Sequence, residues 1–296
     1  MTTPRRIGLA LGGGGARGLA HIALLEAFDE MNLTPAVIAG CSMGALVGAC
    51  YAAGMPAKEL RLHAEKLLSN RVDFARYVFG ARKTKPLELL SLGGLASMHL
   101  DGERLADLAL PDTLPRNIEE TRIPLKIIAC DYERMEEAVL TTGPLAKAVG
   151  ASIAIPGLIS APTIDGRVHV DGGVVNPVPF DHVRDGVDLV VAIDVTGKPR
   201  PAKSSKPGNM EIAVGSLLIM FNRMAQLKRA LSPPDVYITP RVEDFGSADF
   251  FRARDIIAAA EPSKDELKRK LERMLIAETA EPVQLTHTQA EDKRES

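Results

Sequence analysis

Short apolar runs alternate with longer stretches of helical periodicity along the chain. The runs predict strands over residues 7–11, 36–39, 125–129, 168–170, 189–195 and 236–239. Ile127-Ile128 and Val190-Val191-Ala192-Ile193 show no polar alternation, as expected of strands buried on both faces. Apolar positions recurring every three or four residues predict helices over 16–31, 43–53, 57–69, 144–151, 210–231 and 263–277. Strand and helix in alternation imply an α/β layered domain with a mostly parallel central sheet. The 210–231 stretch carries Leu217-Leu218-Ile219-Met220-Phe221, with Met224 and Leu227 continuing the pattern. It is expected to be a core helix rather than a dimer face.

Three segments break the pattern. Residues 71–85 are basic and carry Phe74, Tyr77 and Phe79, which suits either a lid docking on anionic lipid or a solvated charged face. Residues 198–208 hold four cations and three prolines and read as a mobile surface loop. Residues 278–296 are polar and aperiodic and read as a disordered tail. One domain is therefore expected over residues 4–277.

Composition narrows the function classes. The 296 residues hold 36 Lys plus Arg against 38 Asp plus Glu. A charge of −2 with no Trp argues against nucleic acid as a partner. Cys41, Cys50 and Cys130 form no C-x-x-C pair, so neither a disulfide framework nor a thiolate metal site is expected, and a cytoplasmic setting is the default. Residues 34–57 carry no charge over 24 positions, but Pro35 and four glycines interrupt them; they read as strand, turn and helix rather than a membrane span. Arg5-Arg6 before an apolar run imitates a leader, yet four glycines and Arg17 break the run at once.

Gly40-Cys41-Ser42-Met43-Gly44 fits G-x-S-x-G between a predicted strand and a predicted helix. Ser42 at such a turn sits where a helix N-terminus favours a developing negative oxygen. A glycine-rich turn with an N-cap serine fits the same residues. Asp171-Gly172-Gly173 follows Val168-His169-Val170, and its carboxylate suits either a general base in a dry site or a turn initiator. Ser42 and Asp171 each follow a short strand, and open α/β sheets place sites at carboxyl strand ends. Gly12-Gly13-Gly14-Gly15-Ala16-Arg17-Gly18 opens the first helix and presents backbone N–H groups able to hold phosphate or an oxyanion. A dinucleotide site would need an acid after the second strand, where Gly40–Gly44 stands instead; Leu19 after Gly18 excludes a P-loop. Of the histidines 21, 63, 99, 169, 182 and 287, His169 is the best placed for a triad, two residues before Asp171. Cys41 beside the serine reads as a small packing residue.

These motifs, in this order, resemble those of the patatin-like phospholipase family. Ala151-Ser152-Ile153-Ala154-Ile155-Pro156 resembles the block which that family carries before its aspartate, and Asn176, Pro177 and Pro179 resemble the residues after it. The likeness runs from residue 7 to about 195. It implies a three-layer α/β/α fold and a Ser–Asp dyad without histidine, with Ser42 as nucleophile and Asp171 as general base. Gly40 and Gly44 would frame the elbow. Backbone N–H groups of Gly14 and Gly15, with Gly13 beside them, would form the oxyanion hole. Arg17 matches a position that places an anionic head group. The implied reaction is hydrolysis of a phospholipid or other fatty acyl ester through an acyl-serine, of phospholipase A or lysophospholipase type, without metal or cofactor. The chain departs from the family at Cys41, where Thr is frequent, and at Gly157-Leu158-Ile159, where an aromatic is common; both bear on acyl-chain preference. Two other readings remain open: an acyltransferase relying on histidine, and a nucleotide- or lipid-sensing protein whose glycine loop binds without catalysis.

Overall fold

The computed structural model of the chain describes residues 5–69, 100–197 and 208–276. Its strands are β1 (Ile7–Leu11), β2 (Val37–Cys41), β3 (Leu100–Asp101), β4 (Leu125–Asp131), β5 (Glu136–Leu140), β6 (Ile159–Ser160), β7 (Thr163–Ile164), β8 (Arg167–Asp171), β9 (Leu189–Ile193) and β10 (Val236–Ile238). Its helices are α1 (Ala20–Glu30), α2 (Met43–Ala52), α3 (Ala57–Leu67), α4 (Gly102–Ala109), α5 (Leu145–Ser152), α6 (Asn209–Leu231), α7 (Ala253–Ala259) and α8 (Glu261–Ile276). The expected lid or lipid contact at 71–85, loop at 198–207 and tail at 278–296 fall outside the described residues.

The main sheet runs β10-β9-β1-β2-β4-β8-β7, with β5 also paired to β4. The pairs from β10 across to β4 are parallel, while β5 and β8 run against β4 and β7 runs against β8. The expected mostly parallel α/β/α arrangement is therefore present, with an antiparallel edge. The predicted helix at 16–31 begins instead as a 3-10 turn over Gly15–Leu19, entered through Gly15 at a left-handed φ of 58°, and becomes α-helical at Ala20. β5, α4 and α7 were not predicted; each is short and only partly apolar.

Side-chain size differs between the two sheet faces. On β1 and β9, Ile7, Leu9, Leu11, Leu189, Val191 and Ile193 point into one large core with α1, α2 and α3. The alternate positions Ala10, Val190 and Ala192 face a smaller core closed by Val178, Phe180, Val183 and Ala225. A period of two with large residues on one side and small ones on the other lets the 3-10 turn Phe180–Val183 lie directly on the sheet. A Cβ on Gly8 would overlap the Val183 carbonyl oxygen.

In the thick layer, α1 packs against α3, α7 and α8. A charge cluster ties three of these helices together. Arg61 on α3 donates to both carboxylate oxygens of Glu26 on α1 at 2.7 and 2.6 Å, and to Glu261 on α8 at 2.6 Å. Glu26 is buried, so removing its guanidinium partner leaves a poorly solvated charge. Arg61→Met is expected to cost about 2 kcal/mol, between the ranges for exposed and buried pairs, read as a fall in the urea midpoint at unchanged m-value. An unchanged midpoint would show that the cluster contributes nothing net.

Candidate active site

β4 organises the site through its two edges. Residues 127–131 pair with β5 on one edge. The other edge is shared: β2 occupies it up to Ile128, opposite Cys41, and β8 occupies it from Ala129, opposite Asp171. β2 and β8 run in opposite directions along this edge and meet end to end. The strand ending in Cys41 thus delivers Ser42 to the point where the strand ending in Asp171 arrives. Both residues stand at the carboxyl ends of their strands, as expected, but β8 is antiparallel to β4 and comes from the far side.

Both chains must turn sharply at the junction. Ser42 takes φ 52° and ψ −121°, a strained conformation for a residue with a Cβ, and leads directly into α2. The turn is tight enough that a Cβ on Gly44 would overlap the Leu11 carbonyl oxygen, and one on Gly40 would lie 2.6 Å from Ala45 Cα. After Asp171 the chain enters the 3-10 turn Gly172–Val174, and a side chain at Gly172 would overlap the Ile128 carbonyl oxygen.

The Ser42 hydroxyl donates to Asp171 Oδ2 at 2.7 Å, and the Gly173 N–H donates to Asp171 Oδ1 at 2.7 Å. Ser42 and Asp171 are both buried. Burial raises the Asp171 pKa from the ordinary carboxylate range to about 6, against the opposing pull of the Ser42 and Gly173 hydrogen bonds. None of the histidines makes a hydrogen bond to either residue among the described contacts. His169 Nδ1 lies 3.0 Å from the Arg167 carbonyl, and His182 Nε2 lies 2.9 Å from Glu137. Burial and the Asp171 charge push the Cys41 thiol well up, so it stays protonated.

The glycine loop lies alongside: a Cβ on Gly13 would sit 3.2 Å from Ser42 Cβ. The Gly13 N–H donates to the Pro177 carbonyl at 2.9 Å and is thereby removed from the expected oxyanion set. Gly14 and Gly15 N–H make no hydrogen bond among the described residues, and Gly15 lines the cavity that Ser42 faces. Arg17 is also corrected. It is buried, donates from Nε to the Val195 carbonyl at 3.1 Å and from Nη2 to the Thr196 carbonyl, and so fastens the loop after β9 to the glycine loop rather than meeting a head group.

Sequence reasoning gave no role to Ser152. Its hydroxyl donates to the Ile128 carbonyl at 2.5 Å and accepts from the Ser42 N–H at 2.8 Å. It bridges the break in the ladder where β2 leaves β4 and β8 has not yet joined. Two residues on, the Ala154 carbonyl accepts from the Asp171 N–H at 3.0 Å. One short segment therefore holds the backbone of both site residues. A cavity of about 370 Å³ extends from Ser42, lined by residues such as Leu46, Val47, Leu60, Leu105, Ile155 and Phe250. No acid, Lys or Arg lines it among the described residues, so it suits a hydrocarbon chain.

Two outcomes test this geometry. Ser152→Ala leaves a buried N–H and a buried carbonyl without partners, and is expected to lower stability by about 1–3 kcal/mol in chemical denaturation. A neutral result would show that water replaces the hydroxyl. Asp171 has a folded pKa of about 6, above the ordinary carboxylate range near 4, so its contribution to stability is complete below about pH 4 and is lost as pH rises through 6. Asp171→Asn is therefore expected to gain on the parent between pH 4 and 7, by at most about 3 kcal/mol. Parallel pH dependences for the two proteins would contradict the raised pKa.

Comparison with known proteins places the chain. The family model described as Patatin-like phospholipase matches residues 9–184. An uncharacterized NTE family protein of Mycobacterium tuberculosis is 35% identical over 205 residues, covering 68% of this chain and 52% of that protein. Lysophospholipase NTE1 of Pyricularia oryzae is 23% identical over 276 residues, covering 86% of this chain and 18% of that protein. Full-length ExoU of Pseudomonas aeruginosa, crystallised with SpcU, aligns over 93% of this chain and 53% of its own at 15% identity and a TM-score of 0.47. The chain spans about half the length of the mycobacterial relative, and less of the fungal one. The chain belongs to the patatin-like phospholipase family.

Proposed function

We propose that this family member hydrolyses fatty acyl esters of phospholipid or lysophospholipid type through an acyl-Ser42 intermediate, with Asp171 as the base. The observation that carries this reading is the 2.7 Å hydrogen bond from the Ser42 hydroxyl to a buried carboxylate, at the mouth of an apolar cavity. As Ser42 Oγ attacks the ester carbonyl, its proton passes to Asp171 Oδ2. Negative charge then builds on the former carbonyl oxygen, within reach of the Gly14 and Gly15 amides. One such donor is typically worth about 3 kcal/mol of barrier. Collapse of the intermediate transfers the Asp171 proton to the departing alcohol and leaves the acyl group on Ser42. Water, activated by the same carboxylate, attacks the acyl-serine; the fatty acid leaves and Ser42 recovers its proton.

The acyl chain would occupy the cavity, whose described lining beyond Ser42 is hydrocarbon, the Met43 and Cys50 side chains and the His63 ring. Gly13 stiffens the glycine loop through Pro177, and Arg17 fixes the strand exit beside it; both act on loop position rather than on substrate. The histidine-dependent transferase reading is disfavoured by the positions of His169 and His182, whose recorded partners are Arg167 and Glu137.

A fluorophosphonate probe should label Ser42 and nothing else. With a soluble p-nitrophenyl ester, kcat/KM should rise with pH through about 6, as Asp171 loses its proton. Asp171→Asn is expected to lose roughly 10²- to 10⁴-fold in kcat, whereas His169→Ala and His182→Ala should stay near the parent rate. A flat pH profile, or an Asp171→Asn protein as active as the parent, would overturn the dyad.

A further inference from the structure

We propose that α6 is the element by which the protein seats on an anionic lipid surface. The sequence pattern led to a core helix here, and the structure overturns that: among the side chains described, Phe221 and Ala225 are the buried ones. Ile212, Ile219, Met220, Leu227 and Leu231 each leave more than half of their surface in solvent. At 100° per residue these five fall in one stripe, about 120° wide, opposite Phe221 and Ala225. The helix is 23 residues, about 35 Å long, so the stripe is a line of large side chains rather than a scattered few.

Charge and position select the occupant. Residues 212–222 carry no charge, and from 212 to the helix end there are three cations and no acid. Lys228 is engaged with Asp181 and Arg229 lies over the Tyr237 ring on the opposite face, leaving Arg223 exposed within the apolar line. Apolar side chains flanked by arginine fit an interface of acyl chains beneath anionic head groups. Packing the stripe against a second copy would carry Arg223 into the seam with no carboxylate on the stripe to pair it. Among the described residues no helix is long and apolar enough to cross a membrane, so α6 would lie along the surface. Its buried face touches the site: a Cβ on Gly173, whose N–H holds Asp171, would lie 2.6 Å from Phe221 Cε2. On the cavity side, Leu158 and Phe251 are exposed beside the lining residues Ile159 and Phe250. A lipid surface meeting the stripe would lie on the far side of α6 from Gly173, one helix diameter from the site residues.

The choice of lipid rests on the hydrolase reading, but the docking test does not. The chain has no Trp, so Ile219→Trp installs a single reporter. In the Ser42→Ala background its emission should shift to the blue on adding phosphatidylglycerol–phosphatidylcholine vesicles, with less effect in 1 M salt or with phosphatidylcholine alone. The Ile219→Glu/Met220→Glu variant should lose roughly tenfold or more in vesicle flotation and in hydrolysis of vesicle lipid, while cleaving soluble p-nitrophenyl butyrate at the parent rate. Leu227→Glu, at the far end of the stripe, gives a second reading if the double variant fails to fold. Undiminished flotation by both variants would overturn the proposal. So would a parent dimer that either variant dissociates in sedimentation, or a parent that ignores vesicles. Loss of soluble-ester cleavage by Ser42→Ala with flotation intact would support both readings; failure of the parent to cleave any ester, with flotation intact, would sink the hydrolase alone.

Discussion

Everything at the site follows from two strands running head-on along one edge of β4. A parallel sheet normally delivers residues to its carboxyl end and lets each chain depart. Here β8 descends the same edge that β2 climbs, and Cys41 and Asp171 stand opposite consecutive β4 residues, Ile128 and Ala129. Neither chain can continue. Each must leave within one residue, which accounts for the left-handed backbone at Ser42 and the 3-10 turn after Asp171. The strain at Ser42 is tolerated because the surroundings over-determine it: Ser152 holds its N–H, Asp171 its hydroxyl, and the Leu11 carbonyl leaves no room at Gly44.

The same junction sets the electrostatics. A carboxylate inside a sheet is costly, and among the described residues Asp171 has two donors, Ser42 and Gly173, to offset its desolvation. Two hydrogen bonds lower the pKa less than burial raises it, so the group settles at about 6 rather than near 4. A stronger partner such as Arg would stabilise the fold and remove the basicity. The one buried arginine nearby in sequence to the site motifs, Arg17, is occupied by carbonyl oxygens of the β9 exit instead. Under the proposed dyad, a proton acceptor competent near neutral pH would be maintained at some expense of stability, which is the usual relation between the two.

Much of this was legible in the sequence because burial writes itself as apolar runs. β1, β2, β4 and β9 stand within about two residues of their predicted ranges, and Ser42 and Asp171 were singled out by the turns that follow them. What stayed hidden was orientation. A five-residue alternating strand reads the same in both directions, so nothing in Arg167–Asp171 reveals that it runs against β4. Ser152 gave no signal because its work is to fill a gap in a ladder whose pairing was unknown. Arg17 resembled a surface cation in its motif, and only the carbonyls of Val195 and Thr196 show why it is buried. Gly13 looked equivalent to its neighbours until Pro177 took its N–H.

The mistaken reading of α6 has a cause in the sheet itself. The large residues of β1 and β9 all point to one side, and there the helices form a thick, closed layer. The other side offers Ala10, Ala192, Val190 and Gly8, a shallower surface that the Phe180–Val183 turn already covers. A helix arriving over that turn finds little to bury itself in. Phe221 reaches Gly173 and Ala225 reaches the small core, Leu217, Leu218 and Met224 are half-buried at the flanks, and Ile212, Ile219, Met220, Leu227 and Leu231 face solvent. Leucines, isoleucines and methionines are thus left facing outward by the thinness of one layer. Exposed to water such a stripe is a liability; against a lipid surface, as proposed, it is the part of the protein that would be buried.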